Sequence, residues 1–161
     1  DTPAYPPGDR WERMGVIRHG AKNLHGYSHL TNPKISLVLR RSYGGSNITM
    51  GCSKMGPDFI YGWPTVEFAP TGPEQIVHAV FHKELAIAKE KGNYDEVYQG
   101  YLAPLKASMN VMNAARNFNT YYTVNEVIDP RKTRAYVIKS LRAMINKREP
   151  EPEKKRFVKP A

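Results

Sequence analysis

Between Lys34 and Gly56 the chain reads KISLVLRRSYGGSNITMGCSKMG, an order of residue types that leaves few folds open. The run Lys34-Ile35-Ser36-Leu37-Val38-Leu39-Arg40 is too short and too β-branched for a comfortable helix, so it is read as a buried strand. Arg41 to Asn47 follows as a turn, because the paired Gly44 and Gly45 permit backbone angles that other residues resist. Ile48 to Met55 is then expected to form a short helix, stopped by Gly56-Pro57. A strand, a Gly-Gly turn and a helix in succession aim free backbone N–H groups at one point in space. Such a point suits an anion, or an oxygen that becomes anionic during a reaction. The same residues also make a plain tight turn, and local sequence does not separate the two.

Size and charge narrow the remaining choices. At 161 residues and 40% hydrophobic content, the chain is long enough for one domain with a real core. No apolar run approaches the roughly 18 residues of a membrane span, so direct membrane insertion is not expected. The N-terminal DTPAYPPGDRWER lacks the basic and apolar regions of a secretory signal, and it has no initiator Met. The expectation is a processed product or a piece of something longer. The single cysteine, Cys52, excludes an internal disulfide and suits a reducing, cytoplasmic compartment. No particular histidine is tied to Cys52 in sequence, so it is not read as a nucleophile. The net charge of +9 favours a polyanionic partner, either nucleic acid or a phosphate-rich molecule such as coenzyme A. The basic residues are scattered and match no nucleic-acid-binding motif, which argues against the first.

The rest of the chain is punctuated by Pro and Gly. Residues 1–10 are Pro-rich and read as an ordered or semi-extended loop. Trp11 to about Leu30 reads as one helix whose face carries Met14, Ile17, Ala21, Leu24 and Tyr27. Within it, Arg18-His19-Gly20-Ala21-Lys22 places small residues where another backbone packs closely. Asp58–Tyr61 and Thr65–Ala69 read as short strands. A helix opens at Pro73, with Thr71 or Gly72 near its cap, and runs to about Lys91, with Ile76, Val77, Val80, Phe81, Ile87 and Ala88 on its apolar side. The pairs His78/His82 and His25/His29 have metal-like spacing but no third ligand, and are read as surface residues. Tyr94 to about Phe118 reads as helix with a bend at Pro104, its Met109, Met112, Ala114 and Ala115 packing in a core. Tyr121–Val124 reads as extended. Asp129-Pro130 is a strong helix start, and the helix to about residue 147 carries Val137, Ile138, Leu141, Met144 and Ile145 on one face. Arg134 lies at the edge of that face and should have a carboxylate or carbonyl partner. One unit over 1–147 and a charged, Pro-rich tail over 148–161 are expected, with no internal repeat.

Taken in order, these motifs resemble the C-terminal half of a biotin-dependent acyl-CoA carboxyltransferase, the group that includes propionyl-CoA carboxylase and glutaconyl-CoA decarboxylase. The resemblance is carried by Asp1-Thr2-Pro3-Ala4-Tyr5-Pro6-Pro7-Gly8, Gly15-Val16-Ile17-Arg18-His19-Gly20-Ala21-Lys22 and Pro33-Lys34-Ile35. It continues in Arg41-Ser42-Tyr43-Gly44-Gly45-Ser46, Tyr61-Gly62-Trp63-Pro64-Thr65-Val66-Glu67, Ala69-Pro70-Thr71-Gly72-Pro73-Glu74 and Val127-Ile128-Asp129-Pro130-Arg131-Lys132-Thr133-Arg134. It implies an α/β crotonase-like fold of β-β-α units, incomplete here, with the active site between subunits. It implies an oxyanion hole for the ureido carbonyl of carboxybiotin, made by the backbone N–H groups of Gly45 and Ser46. Gly44 would set the turn, and Tyr43, Gly44, Gly45 and Ser46 would form the biotin side. The implied partners are a chain carrying the N-terminal carboxyltransferase domain, a biotin carrier, acyl-CoA as substrate and further subunits of a higher oligomer. No metal is implied. Ser46 stands where the family has Ala, Gln75 where it has a second Gly, and Arg116–Tyr122 is bulkier than the family's small-residue stretch. A non-catalytic subunit or fragment that completes the fold and oligomer of such a complex is the alternative.

Overall fold

The computed structural model of the chain describes residues 1–51, 55–110, 124–148 and 150. Two small parallel sheets organise it. β1 (Ile35–Val38), β3 (Phe59–Gly62) and β5 (Glu126–Val127) form one, in the order β1-β3-β5. β2 (Arg41–Tyr43) and β4 (Glu67–Ala69) form the other. The register runs Ile35↔Phe59 to Val38↔Gly62 in the first sheet and Arg41↔Glu67 to Tyr43↔Ala69 in the second. Parallel strands need crossovers, and helical segments supply them.

Burial follows the sheets. Val66 and Phe68, each 1% exposed, pack with Val38, Trp63 and Val124. Tyr43, Ala69 and Met109 form a second cluster, and Val77, Leu85 and Leu102 a third between α4 (Pro73–Val80), α5 (His82–Lys91) and α6 (Tyr94–Ser108). The predicted core role of Met109 holds; Cys52, Met112, Ala114, Ala115 and the extended Tyr121–Thr123 lie outside the described residues.

Several predicted boundaries move, each for a local reason. The helix read from Trp11 to Leu30 is two: α1 (Asp9–Arg13) and α2 (Val16–Ser28), parted at Gly15, whose φ of +77° a right-handed helix cannot hold. Met14 and Ile17 are consequently 56% and 62% exposed. The helix after Gly72 begins at Pro73 as expected but breaks at Phe81, so α5 starts in a new phase. Val80 and Ile87 turn outward, at 61% and 51% exposure, while Leu85 and Ala88 are buried. α6 runs through Pro104. At the C-terminal end the Asp129 side chain accepts from the Arg131 N–H at 2.9 Å, the predicted cap, ahead of a 3-10 turn at Pro130–Lys132 and α7 (Thr133–Ala143).

The predicted apolar face is only partly buried, through Met144 and the half-buried Val137, and polar contacts also hold α7 to the sheet. Tyr61 Oη and Ser140 Oγ lie 2.6 Å apart, and Trp63 Nε1 donates to Thr133 Oγ1 at 3.0 Å. This arrangement leaves Ile138, Leu141 and Ile145 exposed, the last at 73%. Arg134 shares the outer side, exposed and without a carboxylate or carbonyl partner among the described residues, which overturns the expectation of a paired group. Lys147 closes the end instead, with Nζ 2.8 Å from Asp58.

Candidate functional site

The Gly-Gly stretch is built differently from a free turn. Arg41–Tyr43 is strand β2, and the helix α3 (Gly44–Thr49) begins at the glycines themselves, not at Ile48. The reversal from strand to helix is concentrated at Gly44, with φ +53°. A Cβ there would stand 2.5 Å from the Pro70 carbonyl oxygen, so both conformation and space demand glycine. Gly45 is exposed and Ser46 is 6% exposed. As first-turn residues, neither has an intrahelical acceptor for its backbone N–H. Two adjacent first-turn N–H groups are therefore left without a helical acceptor.

Side-chain hydroxyls brace this turn. Ser46 Oγ donates to the Tyr43 carbonyl at 2.6 Å and lies 3.1 Å from the Thr2 carbonyl. Ser42 Oγ donates to Asn47 Oδ1 at 2.6 Å, both buried. Thr49 Oγ1 donates to the Gly45 carbonyl at 3.0 Å, and the Tyr5 hydroxyl bonds Thr49 in turn. The N-terminal segment runs alongside: the Thr2 N–H donates to Arg41 O at 2.7 Å and the Tyr43 N–H to Thr2 O at 3.1 Å. Asp1 accepts from Arg40 Nη2 at 2.7 Å.

Of the predicted biotin-side residues, Gly44, Gly45 and Ser46 come together as backbone. Tyr43 does not present its ring to them. The ring is buried, and its hydroxyl donates to Glu67 Oε2 at 2.6 Å. Burial first, then the Glu67 carboxylate, holds that phenol far above its ordinary value. Tyr43 also lines the polar hollow described next.

Two hollows flank the turn. One of about 420 Å3 is mostly apolar and lies between the N-terminal segment, α2 and α3, with Tyr5, Gly20, Asn23 and Ser46 in its wall. The other, also about 420 Å3, is polar and is lined by Arg41, Glu67, Glu74 and Lys106. Lys106 Nζ sits 2.9 Å from Glu74 and, through that hydrogen bond, holds the carboxyl below its ordinary value. Among the described residues no three His, Cys, Asp or Glu side chains gather as metal ligands. His25 and His29 stack on each other at 4.4 Å. No helix among the described residues is long and apolar enough to cross a membrane.

Sequence reasoning missed Tyr5, Thr2 and Thr49. It placed a backbone opposite the small residue Gly20, whereas the neighbour is the Tyr5 ring. A Cβ on Gly20 would stand 2.8 Å from Tyr5 Cζ.

Comparison with known proteins agrees with this architecture. The family model described as carboxyl transferase domain matches residues 1–158. The methylmalonyl-CoA carboxyltransferase 12S subunit of Propionibacterium freudenreichii subsp. shermanii is 38% identical over 165 residues, covering 96% of this chain and 28% of that protein. The propionyl-CoA carboxylase carboxyltransferase subunit of Haloferax mediterranei is 37% identical over 157 residues, covering 96% and 29%. The solved transcarboxylase 12S structure, a hexamer assembly with methylmalonyl-coenzyme A and methylmalonic acid bound, superposes with a TM-score of 0.83 at 36% identity. It is covered to 30%, and this chain to 100%. The Pseudomonas aeruginosa geranyl-CoA carboxylase β subunit shares the fold, with a TM-score of 0.70 at 24% identity, covering 94% of this chain and 29% of that one. The chain thus spans under a third of the length of the relatives it matches. With its family match, these relatives and a crotonase-like α/β fold, the chain belongs to the biotin-dependent acyl-CoA carboxyltransferases.

Proposed function

We propose that this chain supplies the biotin-side oxyanion hole of an acyl-CoA carboxyltransferase. The reaction moves a carboxyl group between carboxybiotin and an acyl-CoA, or removes it from the acyl-CoA. The observation that carries the reading is the pair of first-turn N–H groups on Gly45 and Ser46, set behind the reversal at Gly44. Carboxybiotin, when bound, supplies the carboxyl group and a ureido oxygen that gains negative charge as that group departs. The chain's part is electrostatic. Preorganised N–H donors about 3 Å from the charged oxygen lower the barrier by a few kcal/mol, and the helix start adds its partial positive charge. Gly45 is exposed, which suits an approaching ligand, while the space a side chain would take faces the Tyr5 ring.

Deprotonation at the acyl α-carbon and stabilisation of the resulting enolate belong to the N-terminal domain, on a partner chain or on the remainder of a longer one. A biotin carrier and a higher oligomer complete the proposed assembly. Exposure of Val80, Ile87, Ile138, Leu141 and Ile145 also favours the second reading, a unit that completes a fold and an oligomer without catalysing.

The deciding experiment compares Ser46→Pro with Ser46→Ala in the intact enzyme. Proline is tolerated in a first helical turn and deletes the N–H; alanine keeps it. Carboxyl exchange with free biotin should fall on the order of a hundred-fold for proline and only a few-fold for alanine. Equal activity in both variants and the unaltered protein assigns the turn to scaffolding.

A further inference from the structure

A trans peptide unit is a rigid plane in which C=O and N–H point in opposite directions. The Gly45 carbonyl and the Ser46 N–H share one such plane, so whatever fixes the first also aims the second. Thr49 Oγ1 holds that carbonyl at 3.0 Å. A threonine that bonds the carbonyl four residues back is ordinary in helices and carries nothing alone. Here the threonine is itself held from outside the helix. Its single hydroxyl hydrogen is committed to Gly45, so in the contact between Thr49 and Tyr5 the tyrosine hydroxyl donates. The series runs from Tyr5 O–H to Thr49 O–H to Gly45 C=O.

The tyrosine is placed for this by two glycines. Its ring lies against Gly45, where an added Cβ would stand 3.5 Å from Tyr5 Cε2. It also fills the space beside α2 that the missing side chain of Gly20 leaves open. The preceding peptide plane has a brace of its own, since the Tyr43 carbonyl that accepts from Ser46 Oγ at 2.6 Å shares a plane with the Gly44 N–H.

We propose that Tyr5 is a positioning residue for the carboxyl transfer: through Thr49 it fixes the 45–46 peptide plane and so aims the Ser46 N–H, without touching the substrate. The proposal rests on the reading of Gly45 and Ser46 as the oxyanion hole. It concerns orientation, so its signature is a loss of turnover with acyl-CoA binding intact.

The test uses the intact enzyme, with steady-state carboxyl exchange to biotin and thermal unfolding measured on every variant. Tyr5→Phe keeps the ring and deletes the donor, and kcat should fall about 3- to 10-fold with KM for acyl-CoA unchanged. Thr49→Val should fall by a similar factor, and Thr49→Ser, which keeps the hydroxyl, should recover to within about two-fold. Because the two groups act in series, Tyr5→Phe combined with Thr49→Val should be no slower than Thr49→Val alone. Losses that multiply in the double variant overturn the series. A lowered Tm with kcat unchanged in Tyr5→Phe and Thr49→Val makes both merely structural and overturns the proposal. If those two are unimpaired while Ser46→Pro is slow, positioning fails and the oxyanion hole stands. If Ser46→Pro is itself unimpaired, it is the underlying reading that fails.

Discussion

Gly44 and Gly45 are adjacent in sequence and opposite in what they tolerate, which makes Gly44→Ala a sharp test of the strand-to-helix reversal. A left-handed φ costs a residue with a Cβ about 1–2 kcal/mol. The second contribution comes from register. Tyr43 pairs with Ala69, so Gly44 faces Pro70, and the new methyl would stand 2.5 Å from the Pro70 carbonyl oxygen. Ordinary contact begins near 3.4 Å, so one backbone must retreat by most of an ångström. Neither has much freedom to do so, as Gly44 opens α3 and Pro70 directly follows β4. Overpacking of this kind costs about 1–3 kcal/mol. The expected total is about 2–5 kcal/mol. Gly45→Ala is the comparison: its φ is not in the left-handed region, and its methyl meets Tyr5 at 3.5 Å. That variant should lie within about 1 kcal/mol of the unaltered protein, helped by the helix preference of alanine over glycine. Urea unfolding of the intact protein measures both. Equal stability of the two variants would refute the reasoning, because it would mean that neither the sign of φ nor the Pro70 approach governs the turn.

Asp58 accepts from Lys147 Nζ and, at 2.7 Å, from the Lys34 N–H, so Asp58→Asn should destabilise the protein by about 1–2 kcal/mol in the same assay. Burial opposes its ionisation, but the Lys147 hydrogen bond and the Lys34 N–H prevail and hold its carboxyl below the ordinary 3.8. Its contribution is therefore complete above that value and lost as pH falls through the lower folded value. Unfolding measured across pH should show the stability gap between the unaltered protein and Asp58→Asn shrinking below about pH 4. The chain expressed alone should self-associate, since Ile138 and Leu141 on α7 and Ile145 just beyond it are 39%, 48% and 73% exposed. Sedimentation as a monodisperse monomer that unfolds cooperatively would count against this.

What was legible in the sequence was mostly local. The β-branched run gave β1, Gly72-Pro73 marked the start of α4, and Asp129-Pro130 marked the cap ahead of α7, because each signal lies within a few residues of its effect. Helix phase was not legible across a break. Once Gly15 and Phe81 reset the helices, apolar residues counted onto one face landed on another, and Ile17, Val80 and Ile87 became exposed. Arg134 failed for a related reason, as α7 turns Ser140 and Tyr136 toward Tyr61 instead. At the site, the Gly-Gly stretch and Ser46 were legible from residue type and from the family resemblance. Tyr5 and Thr49 were not, because their contact joins residues 44 apart and no spacing rule reaches that far.

The three-stranded sheet carries a consequence for the order of folding. Its central strand, β3, pairs on one side with β1, 24 residues upstream, and on the other with β5, through Tyr61↔Glu126 and Gly62↔Val127. Asn125 adds a side-chain bond to the Ile60 N–H at 2.6 Å, and the Ile128 N–H donates to Gly62 O at 2.8 Å. The closure from Ile60 to Asn125 spans 65 residues, a loop whose entropy is lost before any pairing is gained. During synthesis the β5-facing edge of β3 therefore stays open until the chain has emerged past Ile128. Nucleation is expected instead in the sequence-local α4–α5–α6 cluster, with β5 docking last and bringing α7 with it.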